Sequence, residues 1–393
     1  MRFKTLRDAE VRGQRVLLRE DLNVPVKGGA IADETRITAA LPTLRWLREH
    51  GAKTVILSHL GRPDGVPNPA YSLRPLAARL SELLGTPVRF VEDCVGAAAV
   101  AASRSLPDGG FALFENVRFH AGEEANDPQF ARELARSGDL YVNDAFGTAH
   151  RAHASTAGLA AELPAYAGFL MEAELAALAR LTGEPLRPFV CAIGGAKVVD
   201  KVGVFEHLVA KVDAFVIGGG MANTFLAAHG IGVGTSLRDP DLTPAQRIIA
   251  LSVSKGVALH LPTDAVVADA FDADDTARTV ALGDVGEAMI LDIGPQTARA
   301  YAEVLRSAKT IVFNGPMGVY EKAAYQNGTR VVGAAIAEAT RNGAISVVGG
   351  GDAAAAAHLL GFAAAMTHIS TGGGATLEFL EGKTLPGVAA LER

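Results

Sequence analysis

The stretch FLMEAELAALARL, residues 169–181, lies near the middle of a 393-residue chain. Leu170, Ala173, Ala177 and Leu181 recur at three- to four-residue spacing with Glu172, Glu174 and Arg180 between them, and Ala, Leu and Glu are strong helix formers. The spacing predicts a helix. Most loop Arg and His residues come before it, and the glycine-rich turns come after it. A helix that joins a half carrying anion-gripping side chains to a half carrying phosphate-cradling backbone predicts two domains and two substrates. Read by itself, the same stretch is also an ordinary amphipathic helix inside one domain.

Outward from this helix, short apolar runs alternate with helix-period segments. The runs 15–19, 54–58, 111–114 and 140–143 precede it, and 189–193, 214–217, 289–293, 310–313 and 345–348 follow. They are continuous Val/Ile/Leu/Phe runs, the pattern of strands covered on both faces in a parallel sheet. Helical spacing falls between them at 35–50, 73–84, 128–136, 198–209, 244–255 and 297–307. This predicts an α/β fold of two doubly wound parallel-sheet (Rossmann-like) domains joined by a linker helix and hinge. The expected bounds are 1–168, a linker at 169–181, and 182–376, with 377–393 packing back on the first domain.

Composition narrows the function. Hydrophobic residues make up 49% and charged residues 20%, so the chain buries real cores and is not disordered. A net charge of −6 argues against nucleic acid and anionic membranes as partners. Cys94 and Cys191 are far apart and lack metal-ligand spacing, which fits a reducing compartment. No run is long and apolar enough to span a bilayer, and the first residues lack the apolar core of a signal peptide. The expectation is a soluble, cytoplasmic protein.

Ligands of doubly wound sheets collect beyond the carboxyl ends of the strands. In the first half those positions hold EDLNVP with Asp21 and Asn23, HLGRP with His59, Leu60, Gly61 and Arg62, ENVRF with Asn116 and Arg118, and DAFGTAHRAH with His150, Arg151 and His153. Arg36 opens a helix after Asp33, where the dipole disfavours a cation unless an anion is near. Each cation alone reads as a surface or salt-bridge residue. Four successive strand ends delivering cations to one rim predict a site for a small, multiply charged acid, because Arg binds carboxylate and phosphate bidentately. Asp21 and Asn23 are placed to hold a hydroxyl. His59, His150 and His153 as metal ligands fit poorly among so many arginines.

The second half carries Gly194-Gly195 before Lys197 and Lys201, Gly218-Gly219-Gly220, Asn314-Gly315-Pro316-Met317-Gly318, and Gly349-Gly350-Gly351-Asp352. Such strand-to-helix turns offer backbone N–H groups to phosphate oxygens, although each alone is a common packing device. Lys197 and Lys201, four apart, are expected on one face of a helix start. Residues 382–384, GKT, lack the rest of a Walker loop. Residues 349–354 fit GxGxxA, but no acidic residue follows at the dinucleotide spacing and Asp352 crowds a pyrophosphate, so a dehydrogenase is a weak reading.

Together RxDLNVP (19–25), SHLGRP (58–63), ENVRF, DAFGTAHRAHAS (144–155), GGAKVVDK (194–201), GGGMANTFL (218–226), LDIGP (291–295), NGPMGVYE (314–321), GGGD and STGGGATLEFLEGK (370–383) closely resemble the phosphoglycerate kinase family, in family order. The resemblance implies a monomeric, two-domain glycolytic kinase that moves a phosphoryl group between the 1-carboxyl of 3-phosphoglycerate and magnesium ADP. It implies an acid site of Asp21, Asn23, Arg36, His59, Leu60, Gly61, Arg62, Arg118, His150 and Arg151. It implies a nucleotide site of Lys201, Gly219, Gly294, Asn314, Glu321, Gly350, Gly351, Asp352 and Ala353, with Glu321 on the ribose and Asp352 near Mg2+. Arg36, Lys197, Lys201, Gly372 and Gly373 would hold the phosphoryl group in flight. Hinge closure about 169–181 would exclude water from the acyl phosphate. Two positions depart from the family pattern: Ala353 stands where a small hydroxyl residue is usual, and Glu20 where an apolar one is. The reading from another class is a non-catalytic two-domain binder of a small anionic metabolite.

Overall fold

Arg15–Arg19 (RVLLR) forms β1, and from its second residue on it is buried, as a continuous apolar run with both faces covered requires. The computed structural model describes residues 3–27 and 30–392. Around β1 lie β2 (Lys53–Leu57), β3 (Val88–Val91), β4 (Phe111–Phe114), β5 (Leu140–Asn143) and β6 (Ala165–Ala167). The sheet order is β3-β4-β2-β1-β5-β6 and every pairing is parallel. Because β1 has β2 on one side and β5 on the other, the winding reverses beside it. That reversal opens the crevice at the carboxyl ends.

A second six-stranded parallel sheet is built from β7 (Phe189–Ile193), β8 (Ala214–Ile217), β9 (Ala258–His260), β13 (Thr310–Asn314), β14 (Ile345–Val348) and β15 (His368–Ile369). Its order is β9-β8-β7-β13-β14-β15, again with the reversal at the central strand, β7. Inserted between β9 and β13 are β10 (Asp264–Ala268), β11 (Arg278–Ala281) and β12 (Met289–Ile293). These three pair antiparallel in a sheet of their own, with β10 in the middle. The run 289–293 is thus a strand, but not the parallel-sheet strand expected. It also shifts register against β10 between Val266 and Val267.

The helix read at 169–181 spans Phe169–Thr182. Its start is tied down by two side chains: Thr43 Oγ1 accepts from Phe169 N at 3.1 Å, and Asp144 Oδ1 accepts from Met171 N at 2.9 Å. Contacts divide the chain inside this helix, with one unit running to Ala176 and resuming at Thr384, and the other being Ala177–Lys383. The bounds expected were 168 and 377. Gly374–Leu380 stays with the second unit, packing on Val202–Leu208, and the return to the first unit begins at Thr384. Pro386–Ala389 then docks in the first unit, where Gly387 N donates to Ala149 O at 2.8 Å. No helix among the described residues is long and apolar enough to cross a membrane.

Candidate active site

In the first unit the ends of β1, β2, β4 and β5 deliver their side chains to one cavity of about 240 Å³. Asp21, Asn23, Arg36, His59, Gly61, Arg62, Arg118, His150 and Arg151 all line it. Leu60 does not: it is 6% exposed, and only its backbone serves the site, its carbonyl accepting from Asn116 Nδ2 at 2.8 Å. Gly147 and Thr148 line the cavity unforeseen, although they lie within the DAFGTAH run that drew attention to its histidine and arginine.

The cations here are held by a built framework. Asn23 Oδ1 accepts from Gly61 N at 2.9 Å and so fixes the HLGRP loop beside β1. Arg36 Nη1 donates to Asp21 Oδ1 at 2.6 Å, which accounts for a cation at a helix start. Arg118 donates to Gly61 O at 2.8 Å and pairs with Glu124 at 3.2 Å, and burial still pushes its guanidinium down to about 10. The buried Arg19 donates to Ser155 Oγ at 2.7 Å and lies 3.2 Å from His59 Nδ1. Arg has no acceptor, so His59 Nδ1 must accept, leaving its proton on Nε2. Burial first, then Arg19, Arg118 and Arg36, hold His59 well below the usual imidazole range, so it is a neutral donor. His153 is buried outside the cavity at 3.7 Å from Glu123, lowered to about 4 chiefly by burial. The four arginines that line the cavity favour an anion here.

Glu20, the departure from the family pattern, points away from this cavity into the interior. It is 1% exposed beside the buried Asp144, and burial together with that neighbour raises its carboxyl well above the usual range.

In the second unit a cavity of about 520 Å³ opens beyond the strand ends around β7. Gly219, Glu321 and Asp352 line it, as expected, with Gly195, Ala196, Gly220, Pro316 and Gly318. Its far wall is apolar and was not foreseen: Leu226, Leu237, Phe271, Leu282, Met289 and Val319. Nothing in their local sequence separates them from core residues. Asn223 holds one of them, donating from Nδ2 to Leu237 O at 3.0 Å. Asp292, also in the wall, is 1% exposed and accepts from Ile293 N at 2.9 Å and Gly328 N at 2.7 Å. Burial lifts its carboxyl to about 7. A Cβ on Gly318 or Gly328 would collide with that carboxylate, so both glycines are dictated by Asp292.

Lys201 does not line this cavity but lies against Gly195, which does. Its Nζ donates to Gly194 O and Asn314 O, each at 2.7 Å, the carbonyls at the ends of β7 and β13. Burial pushes the ammonium down to about 8. Lys197 does not share its helix face. It is exposed in the loop before the first helical turn, Val199–Lys201, because Asp239 Oδ2 accepts from Val198 N at 2.8 Å and starts the helix there.

Five other expected residues, Gly294, Asn314, Gly350, Gly351 and Ala353, do not line the cavity. Gly294 packs against the Asp264 carboxylate, which caps the next helix by accepting from Gln296 N at 2.9 Å and Thr297 N at 2.8 Å. Asn314 braces β13 to β14, donating to Gly349 O at 2.8 Å. Ala353 is 1% exposed with its methyl in the core, so no side-chain contact to a ligand arises there. Gly350, at φ +98°, and Gly351 form the turn into Gly351–Leu359 that carries Asp352. Gly372 N donates to Ser370 Oγ at 3.1 Å, and Gly373, at φ +51°, starts Gly374–Leu380. The Gly372 and Gly373 turn lines neither cavity.

The family model for phosphoglycerate kinase matches residues 6–383. A phosphoglycerate kinase of Chloroflexus aggregans is 54% identical over 397 residues, covering 100% of this chain and 99% of that protein. One from a Roseiflexus species is 53% identical over 395 residues, with 100% and 99% covered. Among solved structures, phosphoglycerate kinase from Coxiella burnetii superposes with a TM-score of 0.91 at 42% identity, covering 99% of each chain. That from Pyrococcus horikoshii OT3 gives 0.85 at 35% identity, with 99% and 98% covered.

Proposed function

The chain belongs to the phosphoglycerate kinase family and catalyses reversible phosphoryl transfer between 1,3-bisphosphoglycerate and ADP, and on that premise we propose which of its residues do the work. The reading as a non-catalytic binder finds no support in these relationships.

In this proposal the basic cavity of the first unit takes 3-phosphoglycerate. Arg62, Arg118 and Arg151 grip its phosphate, Arg36 its carboxylate, Asp21 and Asn23 its hydroxyl, and neutral His59 donates from Nε2. His150, beside Arg151 at 3.2 Å, shapes the same wall. The observation that carries this is the convergence of those side chains from four strand ends on one cavity. The nucleotide lies in the glycine-rich cavity, its base against Leu237, Phe271 and Met289, its ribose near Glu321 and its phosphates along Gly195, Gly219 and Gly220. Asp352, a hard oxygen donor at the rim, fits Mg2+, which when bound would neutralise phosphate charge.

No general base is required, because the attacking carboxylate oxygen is already an anion. Catalysis is positioning and charge stabilisation, with Arg36 and Lys201 as the fixed cations. Lys197 joins them only by moving its exposed side chain, and the Gly372 and Gly373 turn only by reaching the phosphoryl group with backbone N–H groups. Movement about Phe169–Thr182 when both ligands bind, a monomeric state and a cytoplasmic location complete the proposal. Small-angle scattering with and without both ligands tests the first two together. Calorimetry tests the acid site: Arg151→Ala should lose 3-phosphoglycerate affinity and keep that for magnesium ADP. Equal acid affinity in both proteins would refute the assignment.

A further inference from the structure

Outside both cavities already described, the end of β3 and the turn after β4 bring Asp93, Cys94 and His120 together. One ligand atom from each lies within 4.8 Å of the other two. Asp93 Oδ1 accepts from Cys94 N at 2.7 Å and is 2.8 Å from His120 Nε2. The imidazole is fixed by stacking on Phe130, ring centroids 5.0 Å apart. Cys94 is 1% exposed, so its sulfur is confined on the protein side of the cluster.

A separate observation points to a ligand. A third cavity, of about 380 Å³, opens directly on Asp93 and His120, and it shares no lining residue with the acid cavity. Its remaining charged wall is Glu92 and Glu115. Glu115 is tied to the frame, accepting from Ser72 Oγ at 2.6 Å and from Leu73 N at 2.9 Å, so it supplies fixed negative charge and not a mobile ligand. Arg74 pairs with Glu92 at the exposed edge, its guanidinium over the Phe90 ring. The cavity is therefore acidic where the neighbouring one is basic.

We propose that Asp93, Cys94 and His120 form a binding site for a borderline-soft divalent cation of the zinc class, with the acidic cavity holding a water molecule in the fourth position. Thiolate, imidazole and carboxylate in a set of three with one open position suit Zn2+, whereas Mg2+ requires oxygen ligands in octahedral array. Binding exchanges the Asp93–His120 hydrogen bond for two metal bonds, the imidazole proton moving from Nε2 to Nδ1, and releases the Cys94 thiol proton to solvent. One thiolate and one carboxylate then balance the dication.

The test uses the full-length chain, stripped of metal and titrated with Co2+ in the presence of excess Mg2+. A thiolate-to-cobalt charge-transfer band should grow to a single equivalent and bleach on addition of Zn2+. It should vanish in Cys94→Ser and in His120→Ala. Absence of the band in the parent overturns the proposal, as does its survival in Cys94→Ser, which would move the site to Cys191. Should Cys94→Ser fail to fold, His120→Ala decides, since that side chain is 33% exposed: an undiminished band there overturns the assignment.

Discussion

Arg36 Nη1 donates to Asp21 Oδ1 at 2.6 Å, joining the first turn of Thr35–Glu49 to the loop after β1 across the acid cavity. The pair fixes the guanidinium where the helix dipole would otherwise repel it. Asp21→Ala releases Arg36 and removes an acceptor for the substrate hydroxyl. Hydrogen bonds to charged groups contribute about 1.5–3 kcal/mol, so the dissociation constant for 3-phosphoglycerate should rise roughly ten- to a hundredfold. Calorimetry reads this directly, and an unchanged constant would remove Asp21 from the site.

Lys201 is lowered to about 8 by burial between the carbonyls of Gly194 and Asn314. In the role proposed for Lys201 the working form is the cation, so activity should fall as pH rises through that value. The free enzyme's pKa governs kcat/KM. The profile of kcat/KM for the nucleotide should bend downward near pH 8, and Lys201→Arg should carry a lower plateau without that bend, because Arg stays charged. A bend that persists in the Arg variant would belong to another group.

Phe271 is 47% exposed, yet it lines the cavity proposed to take the nucleotide. Phe271→Ala leaves the fold intact and withdraws apolar surface from the base, at a cost on the order of 1 kcal/mol. Magnesium ADP should bind about fivefold more weakly, with acid affinity unaltered. Equal loss for both ligands would point to damage to the fold.

Glu20 and Asp144 share the interior, and both carboxyls are raised by burial, Asp144 to about 6. Groups raised above their unfolded values stabilise the fold at low pH, and that contribution is lost as pH rises through the folded values. Glu20→Gln removes one of the two. Its unfolding free energy, read from denaturant melts, should match the parent's near about pH 5 and exceed it increasingly toward about pH 8, by at most about 1.4 kcal/mol per pH unit. A gap that shrinks with pH would contradict the buried pair.

What the sequence made legible follows from where each signal is stored. β1 and β7 could be read because a strand buried on both faces is apolar throughout. β12 was read equally well as a strand, but direction is not written in a strand's own residues, and its antiparallel partner β10 precedes it with β11 between them. The acid cavity was legible because His59, Arg62, Arg118 and Arg151 carry unusual chemistry to strand ends and Arg36 carries it to a helix start. Leu237, Phe271 and Met289 wall the glycine-rich cavity with the same residue types that fill a core, so only the folded chain separates the two. Lys197 was set on a helix because Asp239, the residue that fixes the helix start, is remote in sequence.

The most direct measurement is a coupled assay of the purified protein with 3-phosphoglycerate and magnesium ATP, following the acyl phosphate through an added dehydrogenase, beside Arg36→Ala and Lys201→Ala. The account predicts turnover in the parent and a collapse of kcat, by roughly a hundredfold or more, in both variants. Turnover that survives either substitution would contradict the roles assigned to Arg36 and Lys201.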